Sequence, residues 1–110
     1  MAITQKTINP TIANPDDYAF RANADTAVTS IHLCNITNED ATVNIYIIPD
    51  DGSSSGPTEN NKIYNDLTVQ RTDTYIIDTE KMILSAGDKI FIETADSSGQ
   101  VIATISTIGL

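Results

Sequence analysis

Short runs in which β-branched and polar residues alternate recur along almost the whole chain, and this two-residue period constrains the fold most strongly. The segment "ATVNIYIIP" is typical, because Val43, Ile45 and Ile47 fall on one side of an extended backbone. No apolar stripe of helical period is long enough to predict a helix. The sequence therefore predicts an all-β protein.

Turn residues separate these runs at the spacing of a β-sandwich, and the runs predict about seven or eight strands. Short turns favour antiparallel pairing. We expect a single antiparallel β-sandwich over residues 16–110, with an immunoglobulin-like or a jelly-roll topology. Residues 1–15 are expected to form an extended N-terminal arm or an edge strand, since Pro10 and Pro15 push the residues before them away from helix. The 110 residues suffice for one such domain and are few for two.

Two regular runs lie on either side of the polar turn "TNED", residues 37–40. This short connection predicts a hairpin between them. Strict alternation in the first run, "TAVTSIHLCNI", places Thr29, Ile31 and Leu33 on one face and Val28 on the other. The later segment "TEKMILSAGDK" is expected to connect two strands.

Cys34 is the only cysteine, so the chain cannot form a disulfide within itself. His32 lies two positions earlier and shares a strand face with Cys34, which makes the pair the one candidate for nucleophilic chemistry. No third group that would orient the histidine is apparent in the sequence, and a small buried strand residue is the simpler interpretation of Cys34. We expect no catalytic residues, no cofactor and no metal site.

The charge balance narrows the classes of partner. Fifteen acids and six bases give a formal net charge of −9. Nucleic acids and anionic membranes are bound largely through Lys and Arg, so neither is expected as a partner. No signal peptide and no run long enough to cross a bilayer are recognisable.

The segment "PDDGSSSGPTENNK", residues 49–62, interrupts the alternation. Its acids lack the spacing of an EF-hand loop, and neither half of the chain would bury a core alone, which excludes a linker between two domains. We expect a solvated loop of one sandwich, and whether it contacts a partner stays open. The candidate contact residues are Asp50, Asp51, Gly52, Ser53, Ser54, Ser55 and Gly56.

The last run, "VIATISTIGL", is apolar on both of its faces. Such a strand lies centrally in its sheet or is buried at a subunit contact. We therefore consider it a candidate assembly strand, represented by Val101, Ile102, Ile105 and Ile108.

The four tyrosines offer an alternative, a platform on which sugars could stack. Tyr18, Tyr46, Tyr64 and Tyr75 are scattered over different predicted strands, which favours a role in packing.

Three segments together resemble small virion proteins of tailed bacteriophages: "SIHLCNITNEDATVNIYIIP", "IYNDLTV" and "MILSAGDKIFIETADSSGQVIATISTIGL". The likeness covers residues 30–110. It implies an immunoglobulin-like or jelly-roll sandwich, often oligomeric, that decorates the particle and has no catalytic residues. The "LSAGDKI" segment agrees physically with a structural turn, because Gly87 can take a positive φ and Asp88 can accept backbone hydrogen bonds.

The resemblance leads to an expected function, a non-enzymatic capsid decoration or cement protein on the exterior of a phage virion. The expected partners are other virion proteins, such as the major capsid protein or tail and neck proteins, together with further copies of the chain, for example in a trimer. Synthesis would occur in the host cytoplasm without secretion by a signal peptide. The alternatives are a neck, tail, baseplate or fibre component, or a module that binds host-surface glycan.

Overall fold

A computed structural model of the protein describes residues 2–7, 18–50, 61–78, 82–94 and 101–110. Nine strands lie in these ranges: β1 (Ala2–Thr7), β2 (Phe20–Arg21), β3 (Thr26–Asn35), β4 (Ala41–Ile48), β5 (Lys62–Val69), β6 (Thr74–Ile77), β7 (Met82–Leu84), β8 (Lys89–Thr94) and β9 (Val101–Gly109). Within the same ranges, no helix has the length and apolar character needed to cross a membrane.

The strands form two antiparallel sheets that pack against each other. Sheet A has the order β1-β9-β3-β6, with β7 pairing to β3 beside β6. Sheet B has the order β2-β8-β4-β5. The predicted all-β antiparallel sandwich is confirmed.

One strand differs from the sequence-based expectation, since β7 lies inside the segment that was expected to be only a connection. Residues 1–15 were expected to form an extended arm or an edge strand, and residues 2–7 form β1, which pairs with β9 at the edge of sheet A. Residues 8–15 lie outside the described part of the chain.

The predicted hairpin across residues 37–40 is wrong, because β3 belongs to sheet A and β4 to sheet B. The buried Asn35 side chain stabilises this corner between the sheets. Its Nδ2 donates to the carbonyls of Glu39 (2.7 Å) and Val69 (3.1 Å). Its Oδ1 accepts from the Thr37 N–H (3.0 Å) and hydroxyl (2.7 Å). One amide thus satisfies groups from both sides of the corner.

A β-bulge in β3 explains a second difference. The register with β9 shifts between Val28 and Ser30, so Thr29 is the extra residue. Val28 and Ile31 therefore both point into the core, where strict alternation would have separated them. The Thr29 hydroxyl donates to the Ser106 carbonyl (3.1 Å) at the shift.

The core lies between the sheets and is built from alternate residues of the central strands. Burying a side chain the size of Ile or Leu stabilises the fold by roughly 1.5–3 kcal/mol. The fully buried aliphatic side chains include Ile31, Leu33, Val43, Ile45, Leu84, Ile90, Val101 and Ile105.

Candidate functional site

The outer face of sheet A exposes an unusual number of isoleucines. Ile83 is 70% exposed, Ile3 65%, Ile76 50% and Ile108 44%. Outward-facing strand positions in a sheet that meets water are usually polar. Exposed apolar side chains concentrated on one face mark an interaction surface.

The register of the strands arranges this face in rows, since directly paired residues of antiparallel strands point to the same side. The row nearest one end joins Ile83, Ala27 and Ile108. The next joins Ser30, Ser106 and Ile3. The third joins Ile76, His32, Thr104 and Gln5, and the fourth joins Thr74, Cys34 and Ile102.

The two middle strands, β3 and β9, carry mostly small and weakly polar side chains, with Ile108 and Ile102 near the two ends of β9. Three of the exposed isoleucines lie on the flanking strands. The Gln5 amide donates to the Thr104 hydroxyl (3.1 Å), which ties edge strand β1 to β9 on this side.

The described strand side chains of sheet A carry no formal charge. None of the described side chains in the strands of sheet A is an acid, a lysine or an arginine. The described acids and bases lie on sheet B, in turns or beside strand ends, for example Asp40, Asp73, Asp88 and Glu93. In a chain of net charge −9, this separation distinguishes one face from the rest of the surface.

His32 and Cys34 lie together on this face, both half-buried. The register neighbours of His32 are Ile76 and Thr104, and neither offers a carboxylate to orient the imidazole. No group of three or more His, Cys, Asp or Glu suited to a metal ion occurs among the described residues.

The predicted assembly strand β9 lies between β1 and β3, so both of its hydrogen-bonding edges are occupied. Val101 and Ile105 point into the core, whereas Ile102 and Ile108 point outward. The exposed isoleucines of the flanking strands were not singled out from the sequence. The adjacent apolar residues of "TYII" and "MIL" were the available signal, because neighbours in a strand face opposite sides.

The outer face of sheet B carries a polar network instead. Glu93 Oε1 accepts from the Tyr46 hydroxyl (2.5 Å) and from Asn44 Nδ2 (3.2 Å). Asn44 Oδ1 in turn accepts from the N–H of Asp66 (2.8 Å), whose φ of 54° marks the irregularity in β5. The Lys62 ammonium lies 5.6 Å from the centre of the Tyr46 ring.

An aromatic pair lies beside this network. Phe91 is fully buried, and the Tyr18 ring meets it edge-on at 6.4 Å. The Lys89 ammonium lies 5.6 Å from the centre of the Tyr18 ring. Cation–π contacts of this kind stabilise by about 0.5–1 kcal/mol at exposed sites.

The tyrosines do not form one platform. Tyr18 and Tyr46 each carry a lysine on the ring, Tyr64 packs against the core, and Tyr75 is exposed on sheet A. The sugar-stacking arrangement considered from the sequence is therefore not assembled by these four rings.

The turn that contains Gly87 and Asp88 connects β7 to β8. Gly87 has a φ of 94°, and the Asp88 N–H donates to the Ser85 carbonyl (3.0 Å). Asp88 Oδ2 accepts from the Ser85 N–H, and its Oδ1 accepts from the Asp50 N–H (2.9 Å each). Of the candidate contact loop, only Asp50 is described; Asp51, Gly52, Ser53, Ser54, Ser55 and Gly56 lie outside the described residues.

An open cleft of about 580 Å³ lies at the other end of the sandwich. It is lined by residues 38–40 and 70–72. The Arg71 N–H donates to Asp40 Oδ1 (3.0 Å), and the Thr72 N–H donates to the Thr37 carbonyl (3.0 Å). These contacts join the two turns that line the cleft.

Comparison of the chain with protein-family models, curated proteins and solved structures gives no match in any of the three.

Proposed function

We propose that this chain is a non-enzymatic structural protein of a tailed-phage virion, in the first place a capsid decoration protein on the particle exterior. The observation that carries the proposal is the outer face of sheet A, whose described strand side chains are uncharged and include several exposed isoleucines. A surface of this kind suits assembly with protein. The resemblance of residues 30–110 to small virion proteins of tailed bacteriophages is the reason for proposing a phage particle as the assembly.

The proposal includes other virion proteins as partners and homo-oligomers of the chain. The acidic character outside this face would limit non-specific association before assembly. A position in the neck, tail, baseplate or fibre uses the same surface and forms the alternative within this class.

The test is cryo-electron microscopy of purified phage particles in which mass spectrometry detects this chain. Two-sheet density at regular positions on the capsid lattice supports a decoration protein. Density confined to the neck, tail or fibres moves the protein to the alternative location. If purified particles from cells that produce the chain do not contain it, the proposal is overturned.

An enzymatic role has a separate test, since His32 and Cys34 are its only candidates. A Cys34→Ala variant is expected to fold and to join particles like the unchanged chain. Loss of a chemical activity in that variant, with folding intact, would contradict the non-enzymatic assignment.

A further inference from the structure

We propose that the outer face of sheet A binds the same face of a second copy, giving a dimer in which two sandwiches pack sheet A against sheet A. This deepens the proposed function and rests on it for biological meaning, because it names the partner of the assembly surface. The contact itself can be tested on the isolated protein.

The distribution of charge makes this face the one on which a second copy meets the least repulsion. Two chains that each carry a net charge of −9 repel one another wherever acidic surfaces approach within the Debye length, about 8 Å at physiological ionic strength. The described strand side chains of sheet A bring no carboxylate into a contact between their outer faces. A basic partner would instead gain most by binding the acidic turns and strand ends.

The pattern of side chains suits packing of identical faces. Ala27, Ser30, Cys34 and Ser106 leave low areas on the middle strands β3 and β9. Ile108 on β9 and the flanking Ile3, Ile76 and Ile83 protrude beside them. Sheets that pack face to face interdigitate large side chains with small ones about 10 Å apart. In an isologous contact both copies use the same surface. A two-fold axis in the plane between the two sheets allows each copy to contribute both large and small side chains to the contact.

The size of the face is sufficient for a specific contact. Four strand positions at about 4.8 Å give a width of about 19 Å, and the length of β9 at about 3.4 Å per residue gives about 30 Å. The projected area is then about 570 Å², and side chains that protrude raise the accessible area above it. Specific interfaces bury about 600–1,000 Å² per partner, so the face lies near the lower end of that range.

The first test measures association by sedimentation equilibrium. The chain is 11.9 kDa, so the dimer is expected at 2 × 11.9 = 23.8 kDa. Ile83→Asp and Ile108→Asp each place a carboxylate in the contact, and each is expected to raise the dimer dissociation constant by about tenfold or more.

A matched control lies on the other sheet. Ile63 on β5 is 43% exposed, close to Ile108 at 44%, so Ile63→Asp introduces the same charge at similar exposure. This variant is expected to keep the dimer unchanged. Thermal unfolding of all three variants shows whether each remains folded.

Cys34 provides a second readout, because it is the only thiol and lies inside the proposed contact. Its reaction with a maleimide probe is expected to be slow in the dimer and faster by about tenfold in folded Ile83→Asp. The Ile63→Asp variant is expected to react at the unchanged rate.

Several results would overturn the proposal: a monomer at all accessible concentrations, a trimer, or equal loss of association in Ile63→Asp. Each is distinguishable from failure of the virion assignment. If the protein is a dimer that never joins particles, the sheet A contact stands and the proposed virion function is overturned. If the protein is a monomer that is found on particles, the virion function stands and the sheet A contact is overturned.

Discussion

The backbone N–H of Asp50 donates a 2.9 Å hydrogen bond to Oδ1 of Asp88, so the chain that leaves β4 is joined to the turn between β7 and β8. The other oxygen of the same carboxylate accepts from the Ser85 N–H. A further hydrogen bond joins the turn to the residue that follows β2, since the Gly87 N–H donates to the Ala22 carbonyl (2.7 Å). The turn therefore links three segments of sheet B, namely the residues that follow β2, the residues that follow β4, and the start of β8.

The first prediction concerns Gly87, which has both a positive φ and a close neighbour. A Cβ at this position would lie 2.1 Å from Oδ2 of Asp50 and 2.6 Å from its Cγ. We expect Gly87→Ala to lower the free energy of unfolding by about 2–3 kcal/mol, since a non-glycine residue in this backbone region costs about 1–3 kcal/mol before any clash. Urea unfolding measures the change.

Gly109 is the matched control, because nothing lies within 4 Å of a Cβ built there. Gly109→Ala is expected to change the free energy of unfolding by less than about 1 kcal/mol. Equal effects of the two substitutions would contradict the structural role assigned to Gly87.

The second prediction concerns the corner between the sheets. Asn35→Ala removes four hydrogen bonds of one side chain and leaves the Glu39 and Val69 carbonyls without this donor. We expect a loss of about 3 kcal/mol in the free energy of unfolding, because buried polar groups left unpaired cost about 1–3 kcal/mol each.

The exposed Asn38 on the same corner is the control, and Asn38→Ala is expected to change stability by less than about 0.5 kcal/mol. Chemical denaturation of both variants measures the change in the free energy of unfolding. A loss below about 1 kcal/mol in Asn35→Ala would mean that the corner does not depend on this amide.

The third prediction concerns the network on sheet B. Tyr46→Phe removes the hydroxyl that donates to Glu93 but keeps the ring beneath Lys62. We expect a loss of about 1 kcal/mol, limited because Asn44 still donates to the same carboxylate oxygen. Tyr75→Phe, at a 41% exposed position, is expected to have a smaller effect on the thermal midpoint.

The sequence predicted those features that depend on local chemistry. The two-residue period predicted the all-β sandwich, and the two-faced apolar pattern of the last run fits its central position as β9. The residues of the "LSAGDKI" turn suffice to explain its geometry, since Gly87 supplies the positive φ and Asp88 the acceptors.

Features that depend on distant contacts could not be predicted in this way. The polar turn at residues 37–40 suggested a hairpin, and only the hydrogen bond from Asn35 to the carbonyl of Val69, 34 residues away, reveals a corner. The bulge at Thr29 reverses the face of the residues before it. The outer face of sheet A is assembled from five strands, of which β6 and β7 have four and three residues, too few for alternation to show which isoleucine points outward.

The last prediction uses ionic strength to separate an apolar contact between acidic chains from one held by ion pairs. A dimer of chains with a net charge of −9 holds twice that charge in one body, and salt screens the repulsion between its halves. We expect the dimer dissociation constant to fall as sodium chloride rises from about 0.05 to about 0.5 M, a range over which the Debye length shortens from above 10 Å to below 5 Å. Sedimentation equilibrium at each salt concentration measures the trend. The Ile83→Asp variant should stay largely monomeric at the lower salt concentrations, because each copy then brings an unpaired carboxylate into the apolar contact. If salt instead dissociates the unchanged protein, the subunits are joined by opposite charges, and the contact must lie away from the outer face of sheet A.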